Sequence, residues 1–350
     1  MSRIEILGRG SIDDRESAFP QAIQLPSGDL LCSYSNHGGQ NATGGTDWSR
    51  STDRGATWRS EGTLLPGSIS ATTNFLKLSL SPDGQTIYAY GARTVRGAEA
   101  RFGEQDSEAI FMTSTDAGRT WSSPQVIPMP SAALEISHGI LPLASGRLLA
   151  PAATIEPGRF GAQVIVAVSD DGGRTWPRHV VVMEDPAGVV GYFEQKIAER
   201  SPGHLVASGW TVTLDDVADR PNSYSTSDDD GLTWSVPASI GTRGQTLTVV
   251  PLYDERVMLL YNRRYGDQGI VMALADMTAQ DWPIRFEGLL YDAQARREGR
   301  KRDGGVAEMI DFAFGFPTAI RLDDGTWLAT HWSVEDGHCG VRWIRLRVVE

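Results

Sequence analysis

Cysteine is nearly absent: Cys32 and Cys339 are the only two in 350 residues. A disulfide framework is therefore excluded as the source of stability. Cys32, inside the apolar run "DLLCSYS", is expected to be a small core residue. Long apolar runs are missing as well, and nothing approaches the roughly 18 residues of a membrane-spanning helix. The opening "MSRIEILGRGSIDD" has neither an apolar stretch nor a cleavage-like site, which gives a cytoplasmic location as the expectation. There is no surplus of positive charge. A net charge of −12 argues against a nucleic-acid groove or an anionic membrane as partner. A local group of arginines would still admit an anionic sugar. With only six histidines, no His/Cys cluster has metal-ligand spacing, so no cofactor and no zinc site is expected. Calcium, which needs no compact motif, stays open.

What the chain does have is turns. Its 38 glycines and 18 prolines follow no short period and imply many short strands. One turn is written four times: "STDRGATW" (51–58), "STDAGRTW" (114–121), "SDDGGRTW" (169–176) and "SDDDGLTW" (227–234). The shared pattern is Ser-x-Asp-x-Gly-x-Thr-Trp, with Asp53, Asp116, Asp171 and Asp229 in third place; "ALADMTAQDW" is a decayed fifth copy that keeps Trp282. Asp and Ser can bond the turn's own amides, Gly can take a positive φ, and the indole can pack between sheets. The four aspartates are thus expected to be staples rather than catalysts.

Between these turns a second unit recurs six times, at 19–35, 75–91, 138–154, 193–210, 246–262 and 316–332. Each copy alternates around a Gly or Asp turn, as a β-hairpin does. Six hairpins, each followed by a second strand pair, make six four-stranded antiparallel blades, an all-β six-bladed β-propeller. No composition break divides the chain, so one domain over 1–350 is expected. The first strand, 3–10, would complete the last blade beside 341–349 and close the ring. The basic stretch 295–305 is expected to be a solvated insertion between blades five and six.

The repeated turn resembles the Asp-box, or bacterial neuraminidase repeat, and the chain as a whole resembles the sialidase-like six-bladed propellers. The resemblance implies Asp-boxes on the outer rim and an active site at the central axis. It also implies an arginine triad for a carboxylate, a tyrosine nucleophile polarised by a glutamate, and an aspartic acid. "SAFP" (17–20) matches the stretch that would carry the first arginine, with Ala18 in its place. Glu194 in "YFEQKIAERSPG" matches the glutamate, Trp210 stands where a second arginine would follow, and Phe316 holds the nucleophile's register. A phenyl ring has no oxygen with which to attack an anomeric carbon. Asp47 is the only acid in the loop 36–48 that would supply the aspartic acid.

Hairpin register nominates further residues for the channel mouth: Ser17, Ala18, Phe19, Asn36 and His37; Asn74, Lys77 and Arg93; Glu135 and His138; Gln245, Asn262, Arg263 and Arg264; His331 and Trp332. Of these, Glu194, Glu135 and His138 are the candidate catalytic groups, since glycosidic cleavage needs an acid and a base or nucleophile. His37, Arg93, Trp210, Gln245, Arg263, Phe316 and His331 are candidate substrate contacts; the arginines could clamp an acidic sugar, and the indoles of Trp210 and Trp332 could stack on one. Three functions stay open: a sialidase-like glycoside hydrolase with a non-standard site, a histidine/arginine-dependent lyase or uronate-specific enzyme, and a non-catalytic glycan-binding propeller.

Overall fold

A computed structural model describes residues 2–39, 42–68, 72–95, 106–156, 159–215, 218–293 and 313–349. Among these residues the strands form six antiparallel sheets. Five follow chain order outward: blade I begins with Ala18–Gln24, blade II with Thr72–Asn74 and Lys77–Leu80, blade III with Leu134–Glu135 and Leu141–Pro142, blade IV with Val190–Ser201, and blade V with Gln245–Tyr253. Blade VI runs Phe314–Arg321, Trp327–Glu335, His338–Val349, and its outermost strand is the chain's first, Arg3–Asp13, paired antiparallel from Arg3↔Val349 to Asp13↔Val341. The ring is therefore closed by hydrogen bonds between the two ends of the chain. The basic stretch 295–305 lies outside the described residues.

The first strands are the innermost. Ala18–Gln24 touches both Lys77–Leu80 and Phe314–Arg321, and Gln245–Tyr253 touches both Val190–Ser201 and Phe314–Arg321. Alternation along each strand sends apolar side chains to both faces of a blade, so the cores lie between blades. Met258, Leu260 and Leu274 of blade V, for example, pack with Ala329, Ile344 and Leu346 of blade VI. Cys32 is buried with Leu30, Tyr34 and Val341 at the junction of blades I and VI; both cysteines are free thiols.

The repeated turns fasten the outer part of the blades. In the first, Asp53 accepts from Ser51 Oγ at 2.8 Å and from the Thr57 amide at 2.9 Å through Oδ1, and from Thr57 Oγ1 at 2.6 Å through Oδ2. Asp116, Asp171 and Asp229 repeat the pattern. These donors favour the carboxylate, and hold Asp53, Asp116 and Asp171 down at about 2. The Ser hydroxyl binds the glycine amide, as Ser227 does for Gly231 at 3.0 Å. That glycine has φ +79°, and a Cβ there would lie 2.7 Å from Leu149 Cδ1 of the neighbouring blade. The turn thus seats a bare backbone against the adjoining core.

Innermost strands are irregular at one recurring place. In blades I, IV, V and VI the ladder skips a residue: between Ala18 and Gln21, Phe193 and Lys196, Gln245 and Thr248, and Gly315 and Thr318. Each bulge begins with a non-glycine residue at positive φ: Phe19 (55°), Glu194 (51°), Thr246 (54°) and Phe316 (55°). Such backbones cost on the order of 1–3 kcal/mol apiece and re-aim a side chain. In blades II and III the strand is interrupted instead, after Asn74 and after Glu135, so the continuous inner strands expected there are replaced by two short pieces. In blade III the cause is visible: the carbonyls of Ile136 and Ser137 leave the ladder to accept from lysine ammonium groups of blades II and IV.

Gly231→Ala combines strain at positive φ with a clash into Leu149, and is expected to cost about 2–4 kcal/mol in urea unfolding. Gly146→Ala, at φ +89° with nothing within 4 Å of the added carbon, isolates the strain and should cost about 1 kcal/mol. Equal losses in the two would show that the turn is not pressed into the neighbouring blade.

Candidate functional site

The bulges and interruptions bring one set of side chains from all six blades to the ring axis. Blade I supplies Phe19, whose ring lies 5.3 Å from Phe75 of blade II, 5.6 Å from Phe316 of blade VI and 6.0 Å from Trp332. Lys77, two residues after Phe75 and fully buried, places Nζ 3.7 Å from the Phe75 ring centre and 5.8 Å from that of Phe316. Lys196 of blade IV, also buried, places Nζ 3.7 Å from the Phe316 ring. The two ammonium groups donate to the carbonyls of Ile136 and Ser137 of blade III.

Two carboxyl groups face these cations. Glu135 of blade III accepts from the Ser137 hydroxyl through Oε1 and from the Glu194 amide at 3.1 Å through Oε2. Glu194 of blade IV accepts from Thr246 Oγ1 of blade V at 2.5 Å, and Asn262 Nδ2 donates to that same Thr246 oxygen at 3.1 Å. Glu135, Glu194, His138, Phe19 and Phe75 are partly exposed, whereas Lys77, Lys196, Thr246 and Phe316 are buried. The cluster therefore has an open side, floored by two carboxyl groups, an imidazole and two phenyl rings, with the lysines beneath.

Electrostatics follow from this layering. Burial, and then the neighbouring Glu135, raises the Glu194 pKa above the usual carboxyl range, against the opposing pull of Thr246, Lys196 and Arg264. Burial outweighs the attraction of the carboxylates for both lysines: Lys77 is lowered well below its ordinary value, and Lys196 falls to about 7. His138 is pushed down to about 3 by burial and by Lys196, and its Nδ1 lies 3.0 Å from the Gly139 carbonyl. A neutral ring that donates there presents Nε2 as an acceptor.

Of the residues nominated from register, Glu194, Glu135, His138, Phe316, Phe19 and Lys77 meet in this cluster, with Trp332 and Asn262 against it. Gln245 sits beside it, holding Arg264, whose Nε donates to Gln245 Oε1 at 2.6 Å and whose Nη2 donates to the Phe314 carbonyl at 2.7 Å. The remaining candidate substrate contacts fall elsewhere. Arg263, last in its strand, turns outward to Glu287 at 2.8 Å, so of the adjacent arginines it is Arg264 that faces inward. Arg93 is paired to Glu108 across its own blade. Trp210 is buried in the wall against Phe193, with Nε1 bonded to Asp219 at 2.7 Å, and offers no face for stacking. His37 is exposed on the loop after Leu30–Ser35. Asp47 is buried and accepts from Asn36 and Thr63.

His331 and Trp332 are consecutive in one strand and face opposite ways. Trp332 joins Phe19 and Phe316, while His331 packs 5.2 Å from Tyr291 and lines a separate cavity of about 750 Å³ with Arg9, Asp14, Glu335 and Arg342. No group of three or more metal-ligating side chains occurs among the described residues.

Phe75, Thr246 and Lys196 were not reached from sequence. One signal did exist for Lys196: "FLK" at 75–77 and "EQK" at 194–196 occupy equivalent places in their hairpins. The bulges hid Thr246, because an extra residue shifts the inward face by one.

Lys196 binds fewer protons folded than unfolded between about pH 7 and its ordinary value of 10.5, so stability should rise with pH in that window. Urea unfolding at pH 7 and pH 9 is expected to show a smaller rise for Lys196→Met than for the wild type. Equal rises would mean that the buried ammonium keeps its proton.

Residues 82–326 match the BNR repeat-like domain family. No curated protein sequence matches the chain. Among solved structures, a protein of unknown function from Dyadobacter fermentans superposes with a TM-score of 0.76 at 21% identity, covering 99% of each chain. The intramolecular trans-sialidase of Ruminococcus gnavus gives 0.66 at 12% identity, over 98% of this chain and 96% of its own. An α-L-arabinanase of Penicillium chrysogenum, solved with arabinobiose, gives 0.64 at 15%, over 98% of each.

Proposed function

For a chain that belongs to the BNR repeat-like domain family and is a six-bladed propeller distantly related to the sialidases, we propose a carbohydrate-active enzyme: a glycoside hydrolase working at the axial opening through a non-standard site. The observation that carries this is Glu194, a partly exposed residue held at positive φ, with its carboxyl pKa raised by burial and one oxygen fixed by Thr246. A carboxyl that keeps its proton toward neutral pH can protonate a leaving glycosidic oxygen as the C–O bond breaks.

Glu135 places a negative charge beside the position where an oxocarbenium-like centre would develop, and its bond to the Glu194 amide fixes the bulge that presents the acid. His138, neutral through the working range, orients the incoming water through Nε2. Water bonds to the anomeric carbon, and its proton restores the acid. Phe316 supplies packing for Lys196 instead of a nucleophile. That substitution is also what favours the second reading, a glycan-binding propeller without turnover.

Incubation with mixed oligosaccharides, followed by mass spectrometry, should show products heavier by one water in total and no absorbance near ~235 nm from an unsaturated sugar, the mark of elimination. Glu194→Gln is expected to lower kcat by about 10²–10⁴-fold with little change in binding. Thr246→Val removes a donor that favours the ionised acid, so the alkaline limb of the pH–rate profile should move upward. Unchanged hydrolysis in Glu194→Gln would remove the assignment.

A further inference from the structure

We infer that the cavity between blades V and VI is a second ligand site, separate from the axial opening, and that it takes a sugar unit; this stands whether or not the axial site turns a glycan over. Strand register places the cavity. Gly315 and Gln245 stand at the start of the bulges in blades VI and V. Across their blades they pair with Trp332 and, through Asn262 and Ile270, with Tyr291. His331, next to Trp332 in its strand, is therefore at the height of the axial cluster but on the opposite side of blade VI. Its ring lies 5.2 Å from that of Tyr291, beside a cavity of about 750 Å³, a volume in the range of small-molecule clefts.

His331 is 1% exposed, and burial, with Arg342 and Arg9 nearby, pushes its pKa down to about 4. The neutral ring donates Nδ1–H to the Trp332 carbonyl at 3.2 Å. Nε2 is left as an acceptor that no protein group takes among the described residues, on a ring that lines the cavity. Arg342, paired with His331 across the ladder, braces two carboxylates: Nη1 donates to Asp14 at 2.5 Å, and Nε lies 3.5 Å from Glu335. Ser11 donates to the other Asp14 oxygen at 2.6 Å. A carboxylate has about four acceptor sites, so these bonds leave Asp14 able to accept more. Arg9, exposed and lining the same cavity, adds a second guanidinium. A buried imidazole acceptor, braced carboxylates and guanidinium donors around one space suit a ligand whose hydroxyls both donate and accept. A small ion of either sign would meet its own charge on part of this wall.

The test uses two imidazoles as separate reporters, His138 for the axial opening and His331 for the cavity. The full chain, carrying isotope-labelled histidine, is titrated at neutral pH in an NMR experiment with arabinobiose, xylobiose, lactose and sialyllactose, and with putrescine and sulfate as probes of one charge. His331→Phe, or the contact with the Tyr291 ring, assigns the His331 signals. The expected result is a saturable displacement of the His331 Nε2 signal by at least one sugar. Arg9→Ala should weaken that binding about tenfold and leave the His138 response unchanged. Displacement of His138 alone would overturn the second site and leave the axial glycan site standing. Equal affinity in Arg9→Ala, or a stronger response of His331 to putrescine or sulfate than to any sugar, would also overturn the inference. A sugar response at His331 with none at His138 would support it and count against the axial reading. Silence at both imidazoles would remove both.

Discussion

Two lysine ammonium groups buried at the axis set the terms for the rest of the centre. Moving such a charge out of water costs several kcal/mol even after relaxation, and only close compensation makes it tolerable. The compensation here comes from four blades at once. Blade III turns the carbonyls of Ile136 and Ser137 toward the ammonium groups, blades III and IV bring Glu135 and Glu194, and blades II and VI bring the faces of Phe75 and Phe316. A desolvated cation over an aromatic face contributes on the order of 2 kcal/mol. The cluster is consequently a tie between blades, and blade III gives up ladder hydrogen bonds to complete it.

The same constraint shapes the acid. Glu194 stands between a like charge, Glu135, which favours its protonated form, and Lys196, Arg264 and Thr246, which favour its ionised form. Burial tips the balance toward a raised pKa. Its placement depends on a bulge repeated in four innermost strands, each opened by a residue at positive φ. Strain concentrated at equivalent points of a repeated unit, all pointing at one axis, is the pattern of a site built by the ring as a whole. The rim follows another logic: Asp53, Asp116, Asp171 and Asp229 have their oxygens filled by their own turns, so they fasten the scaffold and take no part at the axis.

Legibility differed between these two regions for a physical reason. Rim turns are local: the donors, the acceptor and the glycine lie within eight residues, so spacing alone specifies the hydrogen bonds. The hairpins are local as well, and with the turns they fixed the count of blades. At the axis the partners are far apart in the chain. Glu135, Glu194, His138 and Phe316 were nominated by register because each lies close to a strand end. Arg93, Arg263, Trp210 and His331 were nominated by the same rule, and in three dimensions they point to Glu108, to Glu287, into the wall and into a different cavity. Register fixes the height of a residue along the axis, and a single extra residue or the next position in a strand reverses the face it presents.

By itself, then, the order of residues determined the sheets, their number, the stapled turns and the pairing of the chain's ends, because each of these is written in short-range periodicity. Which charges meet was decided only when six sheets converged. The depth of Lys77 and Lys196, the raised pKa of Glu194 and the turning of Arg93 and Arg263 to their own partners depend on desolvation and on distances between blades, and neither quantity exists until the ring has closed.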